Sequence, residues 1–449
     1  MSQLGGMYAN SIRLVGTESG VGVNSVGTIE ALTGTLEINQ AGDVRIAGGN
    51  VQSKGDLTIR SERDISNAGA VYAGGKAAID ARGTLKNTGT LVSGENFQST
   101  VGNLENSGQL GTGADVDGKV ATRSDVSVIA SGILQNSGQI LAGNDLALSG
   151  NKTVLDQGKV MAANHALITA GETLGNRQSQ IFANTITLSS DGKLDNTDGV
   201  VETRTLLTIS APSVDNTRGV IKQTADAGQA GNAPQGIVIK NGKLDTVSAS
   251  ANSQANKTQS ILINDQGTIA SNSSTTIDVQ GISNIDGTVQ SKAGLSISGN
   301  GDIDNTKGKL LAGDTLNMTA AGRFTNSRGN VTGDQLVSLS SGSDFVNNDG
   351  SIQGAAVQLT AASIDNAGGR IVHTGSADQV IQSKGAFNNS KGTFASNAGK
   401  ITLTSGGINN AQGEISHGGN GQFALTAGGS LDNTHGAVSS NGALAIVAG

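Results

Sequence analysis

Short runs that alternate apolar and polar residues recur along the whole chain. Leu295-Ser296-Ile297-Ser298-Gly299, Leu316-Asn317-Met318-Thr319-Ala320 and Val337-Ser338-Leu339-Ser340-Ser341 are three copies of one run. Between them stands a second phrase, an apolar residue, any residue, then Asn, with Gly closing it: Ile282 to Gly287, Ile303 to Gly308, Phe324 to Gly329 and Phe345 to Gly350. Its asparagines, Asn284, Asn305, Asn326 and Asn347, step by 21 residues each time. Alternation with period two predicts strands that bury one side. A fixed repeat of about 20 residues predicts a solenoid in which no repeat can bury its apolar side alone.

Each repeat divides into three strand-sized pieces: the asparagine phrase, a piece such as Lys309-Leu310-Leu311-Ala312, and the alternating run. Three strands and three turns in so short a span make one coil of a parallel β-helix, and the usual crossover chirality favours right-handed winding. The expected fold is all-β, about twenty coils of roughly 20–21 residues, a rod near ~95 Å long at about 4.8 Å per coil. Like residues should then stack, with Ile303, Phe324, Phe345, Ile364, Phe387, Ile408 and Leu431 forming one apolar ladder. The Gly that closes the phrase is read as a turn residue of positive φ.

Residues 1–50 alternate without the asparagine phrase, as in Ile12-Arg13-Leu14 and Val44-Arg45-Ile46, and count as variant coils; residues 51–449 carry the regular repeat. From Ile65 the phrase is short, with Gly two residues after Asn67, Asn87, Asn106 and Asn136. Val154-Leu155-Asp156-Gln157-Gly158 reads as the same form with Asp156 in place of Asn, and the copy at Asn176 loses its Gly. A longer form, with Gly three residues on, follows at Asn196, Asn216, Asn264, Asn284, Asn305, Asn326, Asn347, Asn366, Asn389, Asn410 and Asn433. Residues 111–125, 224–236 and 249–260 break the spacing and lack alternation, so they are expected to be loops leaving one face while the coils continue, with no domain boundary.

Composition sharpens this picture. The chain has 67 Gly, 2 Pro, no Cys, no Trp and only 2% aromatic residues. A narrow core of Val, Ile, Leu and Ala needs few large rings, and Gly tied to turns excludes collagen and disorder. The net charge of −7 is spread without blocks, which argues against nucleic acid or an anionic membrane as partner. No apolar run approaches a membrane span, and the start, Met1-Ser2-Gln3, shows no basic n-region or apolar h-region.

The repeated phrase resembles the filamentous-haemagglutinin repeats of two-partner-secretion exoproteins, a class of large adhesins and contact-dependent growth inhibition toxins. Leu4-Gly5-Gly6-Met7-Tyr8-Ala9-Asn10-Ser11-Ile12 with Leu14 to Val23 is similar to the segment that follows the secretion domain in that class. The resemblance covers essentially the whole chain. It implies export through an outer-membrane secretion partner, display at the bacterial cell surface and a receptor on a target cell; the lack of Cys fits passage through a pore unfolded. Both ends lie mid-pattern, which reads as a piece of a longer exoprotein, with end-to-end association of a monomeric rod expected.

Candidate chemistry is sparse. The stacked amides of Asn196, Asn216, Asn284, Asn305, Asn326, Asn347, Asn366, Asn389, Asn410 and Asn433 are read as a structural ladder that satisfies a buried turn; the other reading is a glycan groove. Asp195, Asp215, Asp304, Asp365 and Asp432 occupy the outward position before Asn, where other coils carry Lys86, Glu105, Gln135, Thr325 or Val346, so they are read as a solvated face and not as paired catalytic carboxylates. His165, His373, His417 and His435 are dispersed and suggest no metal site. Gly418 to Ala424 lacks the ligand Asp of a calcium nonapeptide, having Gln422 there. Gly20-Val21-Gly22 lacks the further Gly of a dinucleotide fingerprint, and Lys54-Gly55-Asp56 reads as a turn. The chain is therefore expected to be no enzyme and to hold no cofactor; with the resemblance, it is expected to be the structural shaft of a secreted exoprotein that projects a distal receptor-binding or toxin region. The alternatives are an adhesin binding a receptor or glycan through loops or β faces, and a β-helical polysaccharide-active enzyme.

Overall fold

The computed structural model describes residues 5–18, 22–113, 123–226, 235–241 and 261–449. Among them there is no helix, and the strands pair in parallel in every register found. They form two compact units, the first ending at Ala211 and the second beginning at Pro212. Each is a parallel β-solenoid, and together their turns number about 19.

One coil of the second unit shows why the sequence folds this way. Ile303–Asp304 makes the first strand, Lys309–Ala312 the second and Thr315–Ala320 the third. We call the faces built from these the asparagine wall, the second wall and the third wall. In the next coil Phe324 pairs with Ile303, Val331 with Leu310 and Val337 with Leu316. Apolar residues alternate inward along each piece, so Leu310, Leu316, Met318 and Phe324 are all nearly or fully buried. The ladder Ile303, Phe324, Phe345, Ile364, Phe387, Ile408, Leu431 runs in unbroken register. Within it the Phe324 and Phe345 rings stand 5.1 Å apart, tilted at 54°. Parallel strands place equivalent side chains one above another, so a repeated apolar residue always meets its own kind.

The turn after each Asn corrects one expectation. Gly308 donates its N–H to the Asn305 carbonyl at 3.0 Å, closing a four-residue turn. The positive φ falls on the residue before the glycine: Lys307 at 56°, Arg328 at 55°, Asp349 at 54°. A turn of this kind needs positive φ at its third residue and leaves the fourth free of that demand. What the glycine supplies is space. A Cβ on Gly308 would lie 2.1 Å from the Asn284 carbonyl oxygen of the preceding coil. The short form needs Gly for the same reason: a Cβ on Gly69 would lie 2.4 Å from the Gly49 oxygen.

The irregular stretches lie wholly or partly outside the described residues: 114–122 within 111–125, 227–234 within 224–236, and all of 249–260. On either side of them coils pair directly. Phe97 pairs with Val126, and Val220 pairs with Thr268.

Candidate functional site

The most regular polar structure in the molecule is a column of buried asparagines. Asn305 Nδ2 donates to Asn326 Oδ1 at 2.7 Å and to its own turn at Gly308 O at 3.2 Å, while Asn305 Oδ1 accepts from Asn284 Nδ2 at 2.7 Å. The same link runs from Asn216 to Asn264, Asn284, Asn305, Asn326, Asn347, Asn366, Asn389, Asn410 and Asn433 in the second unit. In the first unit it joins Asn67, Asn87, Asn106 and Asn136, and separately Asn176 to Asn196. An amide is a donor at one end and an acceptor at the other, so a column of them in register satisfies itself indefinitely. All but the half-buried Asn433 are buried, and their hydrogen bonds are spent on one another and on turn carbonyls. That leaves little for a ligand.

The first unit breaks the column at one coil, and there the sequence reading needs a second correction. Gly158 donates to the Leu155 carbonyl at 2.9 Å, and Gln157 carries the positive φ of 63°. The turn is therefore Leu155 to Gly158, and Leu155, fully buried, occupies the asparagine position. Asp156, assigned there from sequence, sits one place further out, where its Oδ1 accepts from Arg177 N at 2.9 Å. The Oδ1 of Asn176 in the next coil is left buried without a partner. The signal that could have found this was length: from Leu155 to Gly158 is three residues, as in the long form.

The residues before each Asn do more than face solvent. Asp304 Oδ1 accepts from Thr306 N at 2.8 Å and from Thr306 Oγ1 at 2.6 Å. Asp195 with Thr197, Asp215 with Thr217 and Asp432 with Thr434 repeat the arrangement. Asn388 and Asn409 make the backbone half of it. The side chain mimics a turn and fixes the bend that follows. The Thr434 hydroxyl and N–H hold the Asp432 carboxyl below its usual range. The signal in the sequence was Asp-Asn-Thr, a three-residue word and not a lone Asp.

The histidines stay apart. His165 Nδ1 meets Thr185 Oγ1 at 2.8 Å. His417, buried, meets Ser440 Oγ at 2.8 Å and Ala398 O at 2.9 Å. His435 is exposed at a turn with φ 55°. His373 is 1% exposed, takes a hydrogen bond from Val357 N at 3.2 Å, and is held below its usual range by burial. Among the described residues no three His, Asp or Glu side chains gather as metal ligands would. Surface grooves lie between outward columns. One of about 600 Å³ in the first unit is lined by Asp43, Arg45, Asp64, Lys86 and Glu105, with the Lys86–Glu105 ion pair at 3.3 Å spanning neighbouring coils.

Comparison with known proteins fits this geometry. The haemagglutinin repeat matches residues 31–89, 92–198, 307–349, 319–391 and 392–449. The chain is 31% identical over 165 residues to the 16S rRNA endonuclease CdiA of Enterobacter cloacae, covering 34% of the chain and 5% of that protein. It is 40% identical over 75 residues to the toxin CdiA of Yersinia pestis, covering 17% and 2%. With the tRNA nuclease CdiA of Yersinia mollaretii it shares 31% identity over 142 residues, covering 31% and 5%. The matches thus span only a small part of each relative's length. No solved structure matches the chain.

Proposed function

The chain belongs to the haemagglutinin repeat family, and on that premise we propose that it is the β-helical shaft of a secreted, surface-displayed exoprotein of the contact-dependent inhibition or adhesin kind. The observation that carries this reading is the self-satisfied asparagine column. It commits the most regular polar groups of the chain to holding coil on coil. A backbone bonded this way, coil after coil, suits a spacer that holds a distal receptor-binding or toxin region away from the producing cell. The nuclease activities in the relatives' names belong to those proteins, and nothing in the repeat asks for them here. Export would use an outer-membrane secretion partner, and the absence of cysteine suits a chain threaded unfolded. Folding of successive coils outside would then hold the exported length in place.

The shaft reading is tested in a displayed exoprotein carrying this chain by removing residues 305–346, which joins Asp304 to Asn347 in register. Surface display should persist and the distal end should move toward the cell, read by fluorescence distance from a label beyond the repeats. Loss of target-cell recognition with display and distal region intact would place the receptor contact in the deleted coils and overturn the reading.

A further inference from the structure

One corner of the second unit departs from its neighbours. Between the second and third walls, two residues part Ala312 from Thr315 and three part Ser291 from Leu295. Five, Thr374 to Asp378, part His373 from Gln379. That corner is largely exposed, Asp378 included, while His373 and Gln379 on either side of it are each 1% exposed. Leu359 pairs with Ile381, so Val357 stands opposite Gln379. Gln379 thus sits in an inward column that reads Leu316, Val337 and Val357 before it and Ile401 and Phe423 after it. In the coils of Thr275 and Gln379 the N–H of this column donates to a carbonyl at the next coil's corner, Gly294 at 3.0 Å and Lys400 at 2.8 Å. Val357 N–H instead donates to His373 Nδ1 at 3.2 Å. A neutral ring that accepts at Nδ1 carries its proton at Nε2. That Nε2 is buried without a partner, and so are both Nε2 and Oε1 of Gln379. The backbones of Gly375 and Ala377 pass near the ring, yet neither gives Nε2 a hydrogen bond. His417, at the same place two coils on, shows the contrast. Both its nitrogens are bonded, and the ring of Phe423 stands beside it at 5.8 Å.

We propose that the corner of His373 is a binding site for buried water, which accepts from His373 Nε2–H and serves both ends of the Gln379 amide. A buried imidazole and amide persist in an apolar column when their polar atoms are bonded. The two side chains cannot do this for each other. A direct bond from His373 Nε2–H to Gln379 Oε1 would still leave Gln379 Nε2 unpaired. The donor set selects the ligand. A cation would meet the N–H groups of His373 and Gln379, an anion would meet Oε1, and Asp378, the charge nearest along the chain, faces solvent. An apolar guest would leave every group unpaired. Water both donates and accepts, and a buried molecule typically makes about three hydrogen bonds. The longer corner gives the site its place, because its extra residues carry the backbone carbonyl away from Val357 and leave the His373 ring there. This goes beyond the shaft reading, which stands whether or not water binds.

Crystals of the whole chain, soaked in turn in bromide and rubidium salts, test it at the ring itself. Ordered water bonded to His373 Nε2 and to the Gln379 amide is expected there, with no anomalous signal from either ion. In solution, oxygen-17 magnetic relaxation dispersion counts long-lived internal water. The double variant His373→Ser, Gln379→Leu installs residues that other coils carry at these places, as at Ser396 and Leu316. It should keep the parent's circular dichroism and lose at least one long-lived water per chain. A bromide or rubidium peak at the site overturns the proposal, as does a direct bond between His373 and Gln379 with no water beside it. Unchanged dispersion in the folded double variant overturns it too. Should that variant fail to fold, the parent crystal decides by the same criteria.

Discussion

Asn305 serves three coils at once: its amide reaches the coil on each side, and its backbone closes its own turn. Truncating it leaves the buried Asn326 Oδ1 without its donor and takes from Asn284 Nδ2 its shortest acceptor, which costs about 1–3 kcal/mol. Asn305→Ala should therefore lower the denaturation midpoint more than Asp304→Ala, whose loss frees only half-exposed Thr306 groups. Equal midpoints would sink the ladder as a stabilising device. Asn176→Ala is the sharper comparison. Its Oδ1 already lacks a partner, so its removal should cost less than that of Asn305. At the turn, Gly308→Ala should destabilise, because the new methyl meets the Asn284 carbonyl at 2.1 Å. Lys307→Gly should be neutral or stabilising by up to ~1 kcal/mol, since a side chain at φ 56° is the strained choice. A lowered melting temperature for Gly308→Ala and an equal or raised one for Lys307→Gly are the expected outcome; a stable Gly308→Ala would show that the coils move apart at little cost.

At the scale of the strand and turn, burial of single titratable groups sets an acid limit. His373 ends the strand Arg370–His373 with its ring inside the coil, and burial holds it below the ordinary value of 6.5. A group whose folded value is depressed stabilises fully above its unfolded value and loses that contribution as pH falls through the folded one. The same sign holds lower down for Asp344, held below 3.8 by the Ser363 hydroxyl at 2.7 Å and by Arg323. The melting temperature should thus fall from pH 7 to pH 5 and again below the carboxylate range. His373→Gln should flatten the first fall and leave the second; an unchanged slope between pH 7 and 5 would show that His373 is not its source.

For the molecule as a whole, each coil touches only its neighbours, so stability is close to a sum of coil and interface terms. Removing residues 305–346 takes out two complete repeats, ending one residue before Asn347, and leaves Asp304 to enter the same turn. The shortened chain should keep its β circular dichroism and melt within a few degrees of the parent. A collapse of the transition would mean that those coils nucleate the rest.

Much of this was legible in the chain before any coordinate. Alternation with period two, a phrase with period near twenty and Gly beside each Asn determine a parallel solenoid and its register, because identical coils can stack only like on like. Ile303 over Phe324 over Phe345 follows from spacing alone. What spacing cannot hold is contact across coils. That the closing glycine is needed for the Asn284 carbonyl and not for its torsion depends on how near one backbone passes another. Counted back from Gly158, spacing admits Asp156 by the short form and Leu155 by the long one, and the turn's own hydrogen bond from Gly158 to Leu155 decides for Leu155. The outward positions of the third wall are likewise dispersed in sequence, two residues in every coil. Only stacking gathers Ser298, Thr319, Ser340 and Thr360 into one column, since parallel register turns a repeat in time along the chain into neighbourhood in space.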